Sequence, residues 1–357
     1  MFLNHGSFGA CPQPVFEEYQ RWQRELERQP VEFLARRLDG LIEEAKARLA
    51  AEIGARPDDL AFVSNATSGM NVVARSLPLG PGDEVLVSNH EYGAVDLLWQ
   101  HVCARSRATP VRAGVRAGPG LVDELWSAVT LRTRVISVSH LTSATAIVFP
   151  VEEICRRAHA QGILVAVDGA HAPGQLDLDV DAVGADFYAG NCHKWLCAPK
   201  GAGFLHVRPE HQDTMVPPVV SWGSKADAGF AERFRWPGTH DPAAFLAVPA
   251  AIDFLAEHGW DDVRRRCHVL AETGRLRLAE LTGLEPVAPE ESWLGQMVTA
   301  ELPELDHDEL KRRLYDEHRI EIPLHRFDGR PIIRASFQGY NDESDLDALL
   351  EALRGLL

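Results

Sequence analysis

Residues 190–207 read GNCHKWLCAPKGAGFLHV and set a lysine, Lys194, between a histidine and a tryptophan. A Gly-x-Gly turn and an apolar run of strand length follow shortly after this lysine. A surface lysine would have polar neighbours, whereas the neighbours of Lys194 are mostly of the kinds that proteins bury. We therefore expect Lys194 either to extend its amine to solvent along an apolar stem or to take part in chemistry.

The apolar run that ends this segment is one of several strand-length runs in the first 207 residues. They read LAFVSN, DEVLVSN, RVISVSH, GILVAVDGA, ADFYAG and GAGFLHV, and begin at residues 60, 83, 134, 162, 185 and 201. Helical stretches such as MNVVARSL and VEEICRRAHAQ separate several of these runs. Alternating strands and helices predict a mostly parallel sheet that helices cover on both faces.

The two ends of the chain have a different pattern. FEEYQRWQRELERQPVEFLARR and LIEEAKARLAAEIGA predict helices near the N-terminus, the second ending at Gly54. Near the C-terminus, AAFLAVPAAIDFLAEHG, HDELKRRLYDEH and DESDLDALLEALRGLL predict helices around two predicted strands, RIEIPL and RPIIRASF. We predict an α/β fold with a large α/β domain over residues 15–245 and a smaller α+β domain from residues 1–14 and 246–357.

Charge and composition restrict the class of partner. The 357 residues carry a formal net charge of -16, and nucleic acids or acidic lipids require basic patches instead. The six cysteines are scattered without a framework, which is typical of a reducing compartment. Neither a signal peptide nor a run of 18 apolar residues is evident. These patterns predict a cytoplasmic protein that handles small molecules and binds neither nucleic acid nor membrane.

Three polar positions follow apolar runs, where open α/β sheets bind their ligands. Residues 66–69 open a helix with small side chains and suit a phosphate, although such residues are also ordinary N-caps. Asp168 ends an apolar run and needs a cation or hydrogen bonds, which a turn also supplies. Burial of Lys194 would lower the pKa of its amine, although most lysines are solvated. Together, an anion site, a carboxylate and an amine match the requirements of pyridoxal phosphate.

The order and spacing of seven motifs resemble the class V aminotransferase family of fold type I pyridoxal-phosphate enzymes. The motifs are NATSGMN, SNHEYGAV, SHLTSATAIVFPVEEI, VDGAHAPGQLDLDV, AGNCHKWLCAPKGAGFL, PGTHDP and IIRASFQGYN. Within the family, FLNHGSFGACPQPVFEEYQRWQRELERQP resembles the isopenicillin N epimerase-like branch. The resemblance spans nearly the whole chain and implies pyridoxal 5'-phosphate as cofactor and an amino acid as substrate.

The resemblance implies a catalytic set. Lys194 matches the lysine that carries the cofactor, and Asp168 matches the carboxylate that keeps the pyridine nitrogen protonated. His171 lies where a relative has a residue near the ring hydroxyl, and Tyr92 lies where many members stack a ring over the cofactor. Arg334 matches the arginine that binds the substrate carboxylate, a task that suits a planar guanidinium.

Further cofactor contacts are implied at the phosphate and at the ring hydroxyl. The residues that match the phosphate cradle are Ala66, Thr67, Asn191 and His193. Ser143 stands where many relatives have an asparagine at the ring hydroxyl, which is a departure from the family pattern. Thr239 matches a residue that reaches the phosphate of a second subunit, so we predict a homodimer with active sites at its interface.

The family chemistry begins with removal of a Cα proton by the freed lysine, and the later steps define the reaction. The resemblance favours an epimerase-like reaction, with a carbon–sulfur lyase or an aminotransferase as alternatives. The segment RIEIPLHRFDGRP lacks the cysteine that the cysteine-desulfurase branch uses as its nucleophile. A cofactor-binding protein without catalysis is a remoter alternative, since the predicted catalytic residues are all present.

Other interpretations of the same residues find less support. Cys192, His193 and Cys197 lack the further closely spaced ligands of a metal site, so we predict no metal. Cys11 is either a thiol nucleophile or, more in keeping with its surroundings, a small buried apolar residue. Tryptophans such as Trp195 and Trp222 fit packing or dimer-interface positions, with a place in the substrate pocket as the less favoured alternative. A dehydrogenase would need a G-x-G-x-x-G motif after an early strand. The loops HGSFGAC and VVSWGSKADAGF are predicted to form the substrate side-chain pocket.

Overall fold

The computed structural model describes residues 1–225 and 227–357 and contains a seven-stranded and a three-stranded sheet. The strands of the larger sheet are β1 (Leu60–Val63), β2 (Glu84–Ser88), β3 (Thr109–Ala113), β4 (Thr133–Ser139), β5 (Leu164–Gly169), β6 (Phe187–Asn191) and β7 (Gly203–Val207). Those of the smaller sheet are β8 (Met297–Glu301), β9 (Leu324–Phe327) and β10 (Arg330–Ser336).

Helices connect and cover these strands. In chain order they are α1 (His5–Phe8), α2 (Gln13–Arg28), α3 (Pro30–Glu32), α4 (Leu38–Glu52), α5 (Ala66–Ser76), α6 (Gly93–Ser106), α7 (Leu121–Trp126), α8 (Val151–His159), α9 (Val180–Val183), α10 (Phe230–Arg235), α11 (Ala243–Leu246), α12 (Val248–Glu257), α13 (Trp260–Thr282), α14 (His307–Asp316) and α15 (Glu343–Leu356). A π-helical turn, Phe33–Arg37, joins α3 to α4. No helix in the described ranges combines the length and apolarity needed to cross a bilayer.

The larger sheet has the order β1-β7-β6-β5-β4-β2-β3, and only the β7 pairings in it are antiparallel. Alternate side chains of its strands enter two separate apolar cores. In β6, Phe187 and Ala189 enter one core while Tyr188 enters the other. Helices therefore cover both faces, and the predicted mostly parallel α/β sheet is confirmed.

The C-terminal part of the chain forms the antiparallel sheet β8-β10-β9, against which the long helix α13 packs. The N-terminal residues add to this region, because Asn4 bridges to Ser336 and Phe2 bridges to Glu321. These contacts agree with the predicted association of residues 1–14 with the C-terminal segment. The proposed domain boundaries remain a prediction.

One predicted strand is wrong. The segment RIEIPL does not form a strand, and β9 begins only at its last residue, Leu324. Pro323 has no N–H to donate to a ladder, which interrupts regular pairing at this point. Ile320 and Ile322 are buried all the same, so their hydrophobicity reflects packing of an irregular segment.

The larger sheet places its polar strand ends together. Ser139 ends β4, Asp168 is the penultimate residue of β5, and Asn191 ends β6. Because these three strands are parallel neighbours, their carboxyl ends lie at one edge of the sheet. The N-terminus of α5 reaches the same edge, where Gly69 lets the helix approach β6. A Cβ on Gly69 would lie 2.8 Å from the Cβ of Ala189.

Candidate active site

A cavity of about 230 Å³ lies at this edge of the sheet. Eight of the predicted site residues line it: Thr67, Tyr92, Ser143, Asp168, His171, Asn191, His193 and Lys194. These residues come from five separate segments of the chain, so the fold brings together what the sequence separates. The cavity is therefore our candidate active site.

Lys194 lies in the loop between β6 and β7, and its Nζ is 2.9 Å from Nε2 of His171. The pKa of Lys194 is lowered to about 7, chiefly by burial and also by the charge of Arg334, while Asp168 opposes the shift. The pKa of His171 is held well below its usual range, first by burial and then by the charge of Lys194. Near neutral pH the cavity thus holds a neutral imidazole beside an amine that readily gives up its proton.

The carboxyl group of Asp168 forms part of the cavity floor and is almost completely buried. Its Oδ1 accepts the backbone N–H of Ala170 at 3.0 Å, and it has no salt bridge in the described part of the chain. Burial raises its pKa, while the Ala170 hydrogen bond and the charge of Lys194 lower it. A buried carboxylate of this kind favours a cationic ligand group, because such a group would stabilise its charge.

A second buried carboxyl group, that of Glu91, lies behind the cavity wall. Its two oxygens accept hydrogen bonds from the hydroxyls of Ser88 at 2.5 Å and Ser139 at 2.8 Å. Burial raises the pKa of Glu91 to about 7, despite these hydrogen bonds, and Asp168 adds to the increase. Glu91 is not among the predicted site residues, although it lies shortly after the apolar strand β2.

The N-terminus of α5 forms the opposite end of the cavity. Asn65 caps this helix by accepting the Ser68 N–H at 2.8 Å, and Asn191 Oδ1 accepts the Ala66 N–H at 2.8 Å. The Thr67 N–H has no acceptor among residues 1–225 and 227–357, and Thr67 lines the cavity. A helix N-terminus with a free N–H is suited to an anion such as a phosphate.

Arg334 is fully buried on β10, behind the cavity wall rather than on it. Its Nη1 donates to the Ser143 carbonyl, and its Nη2 is 3.3 Å from Ser7 Oγ and 3.4 Å from Asn4 Oδ1. Its Nε has no hydrogen-bond partner, and no carboxylate pairs with the guanidinium in the described ranges. Burial lowers the pKa of Arg334 to about 10, which reflects a cation held without a counterion.

The N-terminal segment closes one side of the cavity, where Ser7 and the largely exposed Phe8 form part of the wall. Gly9 has a φ of +71°, and a Cβ there would lie 2.1 Å from the His193 carbonyl oxygen. Lys200 Nζ donates to the Gly9 carbonyl at 3.0 Å. The predicted loop HGSFGAC therefore borders the site.

Some predicted residues lie off the cavity wall. Ala66 is buried, and Thr239 is exposed and absent from the cavity of its own chain. The loop VVSWGSKADAGF carries an exposed Trp222 and includes residue 226, which lies outside the described residues. Burial raises the pKa of the Cys192 and Cys197 thiols, and no group of three metal-ligating side chains occurs in the described ranges.

Three groups of the cavity fit the three ends of pyridoxal phosphate. The amine of Lys194 suits the aldehyde, the carboxyl group of Asp168 suits a protonated ring nitrogen, and the Thr67 N–H suits the phosphate. Each of them lacks a strong partner of opposite charge among the residues that the structure describes. The residues present thus fit this cofactor.

Comparisons with known proteins give the family. The Aminotransferase class-V family model matches residues 10–349. The chain is 41% identical to an isopenicillin N epimerase of Amycolatopsis lactamdurans, over 99% of this chain and 94% of that protein. It is 31% identical to a probable chloroplastic L-cysteine desulfhydrase of Arabidopsis thaliana, over 99% of this chain and 82% of that protein.

A solved apo structure of a cysteine desulfurase from Thermococcus onnurineus has the same fold. It superposes with a TM-score of 0.87 at 22% identity, over 100% of this chain and 94% of that one. The fold class and the family predicted from the sequence are therefore both confirmed. The chain belongs to the class V aminotransferase family.

Proposed function

We propose that this chain is a pyridoxal-phosphate-dependent enzyme that removes the Cα proton of an amino acid in an epimerase-like reaction. The observation that carries the proposal is the presence of Lys194 and Asp168 in one cavity, where Asp168 is buried, Lys194 is half-buried, and neither forms a salt bridge within residues 1–225 and 227–357. The cofactor, when bound, supplies an electron sink for the carbanion that deprotonation leaves at Cα.

The residues of the chain hold the reacting groups in place. Lys194 would hold the cofactor through its amine, and the same amine would act as the base at Cα. Asp168 would stabilise positive charge on the ring nitrogen, while the N-terminus of α5 and Thr67 would bind the phosphate. The amine of Lys194 is suited to proton transfer because its pKa, lowered to about 7, lies near physiological pH.

Arg334 is assigned to the substrate carboxylate. Its Nη2 contacts two neutral oxygens, Asn4 Oδ1 and Ser7 Oγ, at 3.3–3.4 Å, and these are weak acceptors for a cation. A carboxylate would replace them and supply the missing counterion. Because Ser7 and Ser143 separate the guanidinium from the cavity, substrate binding requires a local shift of the N-terminal segment.

The names of the relatives support two reactions. An isopenicillin N epimerase is 41% identical to the chain, whereas a probable L-cysteine desulfhydrase is 31% identical, so the epimerase-like reaction has the stronger support. Carbon–sulfur lysis is the second candidate, and the absence of a cysteine from residues 319–331 argues against a desulfurase with a thiol nucleophile there.

Two further features belong to the proposal. Thr239 is exposed and does not line the cavity of its own chain, so we assign it to the phosphate of a second subunit in a homodimer. Light scattering that gave a monomeric mass for the cofactor-loaded protein would contradict this assignment. A cytoplasmic location remains a prediction from composition.

Incubation with an amino-acid panel in heavy water, read by mass spectrometry and chiral chromatography, tests the reaction. Deuterium at Cα with loss of chirality is expected for an epimerase. A keto acid with free ammonia would instead indicate elimination, and a keto acid with aminated cofactor would indicate transamination.

Borohydride reduction of the loaded protein tests the lysine itself. The cofactor mass is expected on the peptide that contains Lys194, and Lys194→Ala is expected to lose it. Lys200→Ala is the matched control, because Lys200 lies in the same loop but outside the cavity wall, and it should retain the label. Labelling that survives in Lys194→Ala would refute the assignment.

A further inference from the structure

Trp195 follows Lys194 in the chain, and its side chain is fully buried. Its indole Nε1 donates a hydrogen bond to Nδ1 of His171 at 3.2 Å. The other ring nitrogen of His171, Nε2, lies 2.9 Å from Nζ of Lys194. An indole, an imidazole and an amine thus form one continuous chain of hydrogen bonds.

The protons along this chain follow from the types of groups present. An indole N–H can only donate, so Nδ1 of His171 must accept and carries no proton. A neutral imidazole with a bare Nδ1 has its single proton on Nε2. Nε2 then donates to Lys194 Nζ, which can accept only through the lone pair of a neutral amine.

We propose that Trp195 is a positioning residue that fixes the Nε2–H tautomer of His171 and thereby holds the amine of Lys194 in its neutral form. This inference rests on the proposed function, in which Lys194 attaches the cofactor and later accepts a proton. It assigns a role to a side chain for which the sequence favours a place in packing or at an interface.

The surroundings of Trp195 keep its indole in this orientation. The ring centroid of His5 lies 4.8 Å away, and Leu141 and Met297 belong to the same buried apolar cluster. Gly174, with a φ of +79°, lets the backbone approach, since a Cβ there would lie 2.5 Å from the Trp195 carbonyl oxygen. A side chain packed on several sides has little freedom to turn its N–H elsewhere.

A neutral amine matters because it is the form that attacks an aldehyde. Lys194 forms a C=N bond to the aldehyde carbon, and the aldehyde oxygen leaves as water with both amine protons. The step needs no oxidant or reductant. An ammonium at this position has no lone pair and must first lose a proton, so the tautomer of His171 controls the pH at which attachment occurs.

Other charged groups also affect the protonation of Lys194 and His171. The titratable and charged groups around Lys194 and His171 are Asp168, Arg334, His5, His193 and Lys200, and Asp168 in turn acts on Glu91. Arg334 and the two histidines disfavour positive charge on the pair, whereas Asp168 favours it. A change at Trp195 leaves these groups in place, so it isolates the contribution of the tautomer.

The first test measures the rate of pyridoxal 5'-phosphate uptake by the apoprotein as a function of pH, in wild type and in Trp195→Phe. Without the indole donor, Nδ1 of His171 can take the proton, and the free lone pair of Nε2 then stabilises the Lys194 ammonium. We expect the midpoint of the pH profile to lie about one pH unit higher in Trp195→Phe than in wild type. Below the wild-type midpoint, uptake by the variant should then be about tenfold slower. The rates should converge at high pH.

Trp99→Phe is the matched control. Trp99 is also fully buried, and its indole N–H has no hydrogen-bond partner in the described part of the chain. It lies on α6 in an apolar core different from the cluster of Trp195, and it does not line the cavity. This variant should keep the wild-type profile. A Trp195→Phe profile that superposes on that of Trp99→Phe would overturn the inference.

A second measurement uses the wild-type apoprotein and does not depend on the folding of a variant. ¹⁵N chemical shifts of the His171 ring are expected to show a bare Nδ1 and a protonated Nε2 near neutral pH. A protonated Nδ1 would overturn the inference while leaving the proposed function intact. Failure of the wild-type protein to take up pyridoxal 5'-phosphate at Lys194 would instead overturn the proposed function.

Discussion

Arg334→Met is predicted to stabilise the fold while weakening substrate binding. The guanidinium of Arg334 is fully buried, its Nε has no partner, and no carboxylate neutralises it in the described ranges. Methionine has a similar length and no charge, so it fills the same space without a desolvated cation. Stability and function are therefore expected to move in opposite directions.

The magnitude follows from the effect of burial on the guanidinium. Its pKa falls from 12.5 to about 10, which corresponds to about 3 kcal/mol less stabilisation of the charged form. Removal of the side chain loses one good hydrogen bond, to the Ser143 carbonyl, since the contacts with Asn4 and Ser7 are long. That loss offsets about 1.5 kcal/mol, so the free energy of unfolding should rise by about 1–2 kcal/mol.

Urea denaturation of the substrate-free protein at pH 7 measures this difference. Arg330→Met is the control, because Arg330 lies on the same strand but is exposed and paired with Glu301. An exposed ion pair contributes little, so this variant should lie within about 0.5 kcal/mol of wild type.

Absorbance titration of the cofactor-loaded protein measures binding of the processed amino acid and of its carboxamide. Wild type should prefer the carboxylate by about 100-fold, and Arg334→Met should lose that preference. Destabilisation by more than about 1 kcal/mol beyond the Arg330→Met control would refute the account of a buried cation without a counterion. A preference for the carboxylate that survives the change would refute the substrate assignment.

Two further predictions concern the cavity walls. Gly9→Ala should lower the free energy of unfolding by more than about 1 kcal/mol, because φ is +71° and the new Cβ would contact the His193 carbonyl oxygen. Gly40 lies within helix α4, where a new Cβ would meet no other atom, so Gly40→Ala should instead raise the free energy of unfolding by about 0.5–1 kcal/mol. Similar urea midpoints for the two variants would contradict this reasoning. Burial is the main cause that raises the pKa of Glu91 from 4.5 to about 7. Between these pH values the folded state therefore retains a proton that the unfolded state releases, so the free energy of unfolding falls as pH rises. Relative to Glu91→Gln, wild type should lose about 3 kcal/mol across this window in urea titrations at each pH, and parallel curves would exclude this linkage.

Much of the fold could be predicted from the sequence because the decisive signals are local. Continuous apolar runs such as GILVAVDGA occur where a strand is buried on both faces, and the helical stretches between them force parallel connections. The family could be predicted because the order of its motifs survives in the chain. Asp168 and Lys194 stood out because polar groups directly after or within apolar segments require an explanation.

The site residues that could not be predicted from the sequence depend on contacts between distant parts of the chain. Glu91 precedes the predicted Tyr92, but its partners Ser88 and Ser139 lie on different strands, so its burial was not evident. Trp195 looked like packing because the atom that it contacts, Nδ1 of His171, lies 24 positions earlier in the chain. RIEIPL resembled a strand because burial of isoleucines is common to strands and to irregular packed segments.

The sequence by itself thus determined the fold class, the family and the types of chemical groups at the site, because periodicity and motif order are properties of the chain. Only the tertiary structure decided the state of those groups. Burial lowers the pKa values of Lys194 and Arg334, and the indole donor that faces Nδ1 of His171 leaves the ring proton on Nε2. Electrostatic free energy depends on distance and desolvation, and neither quantity exists until the chain has folded.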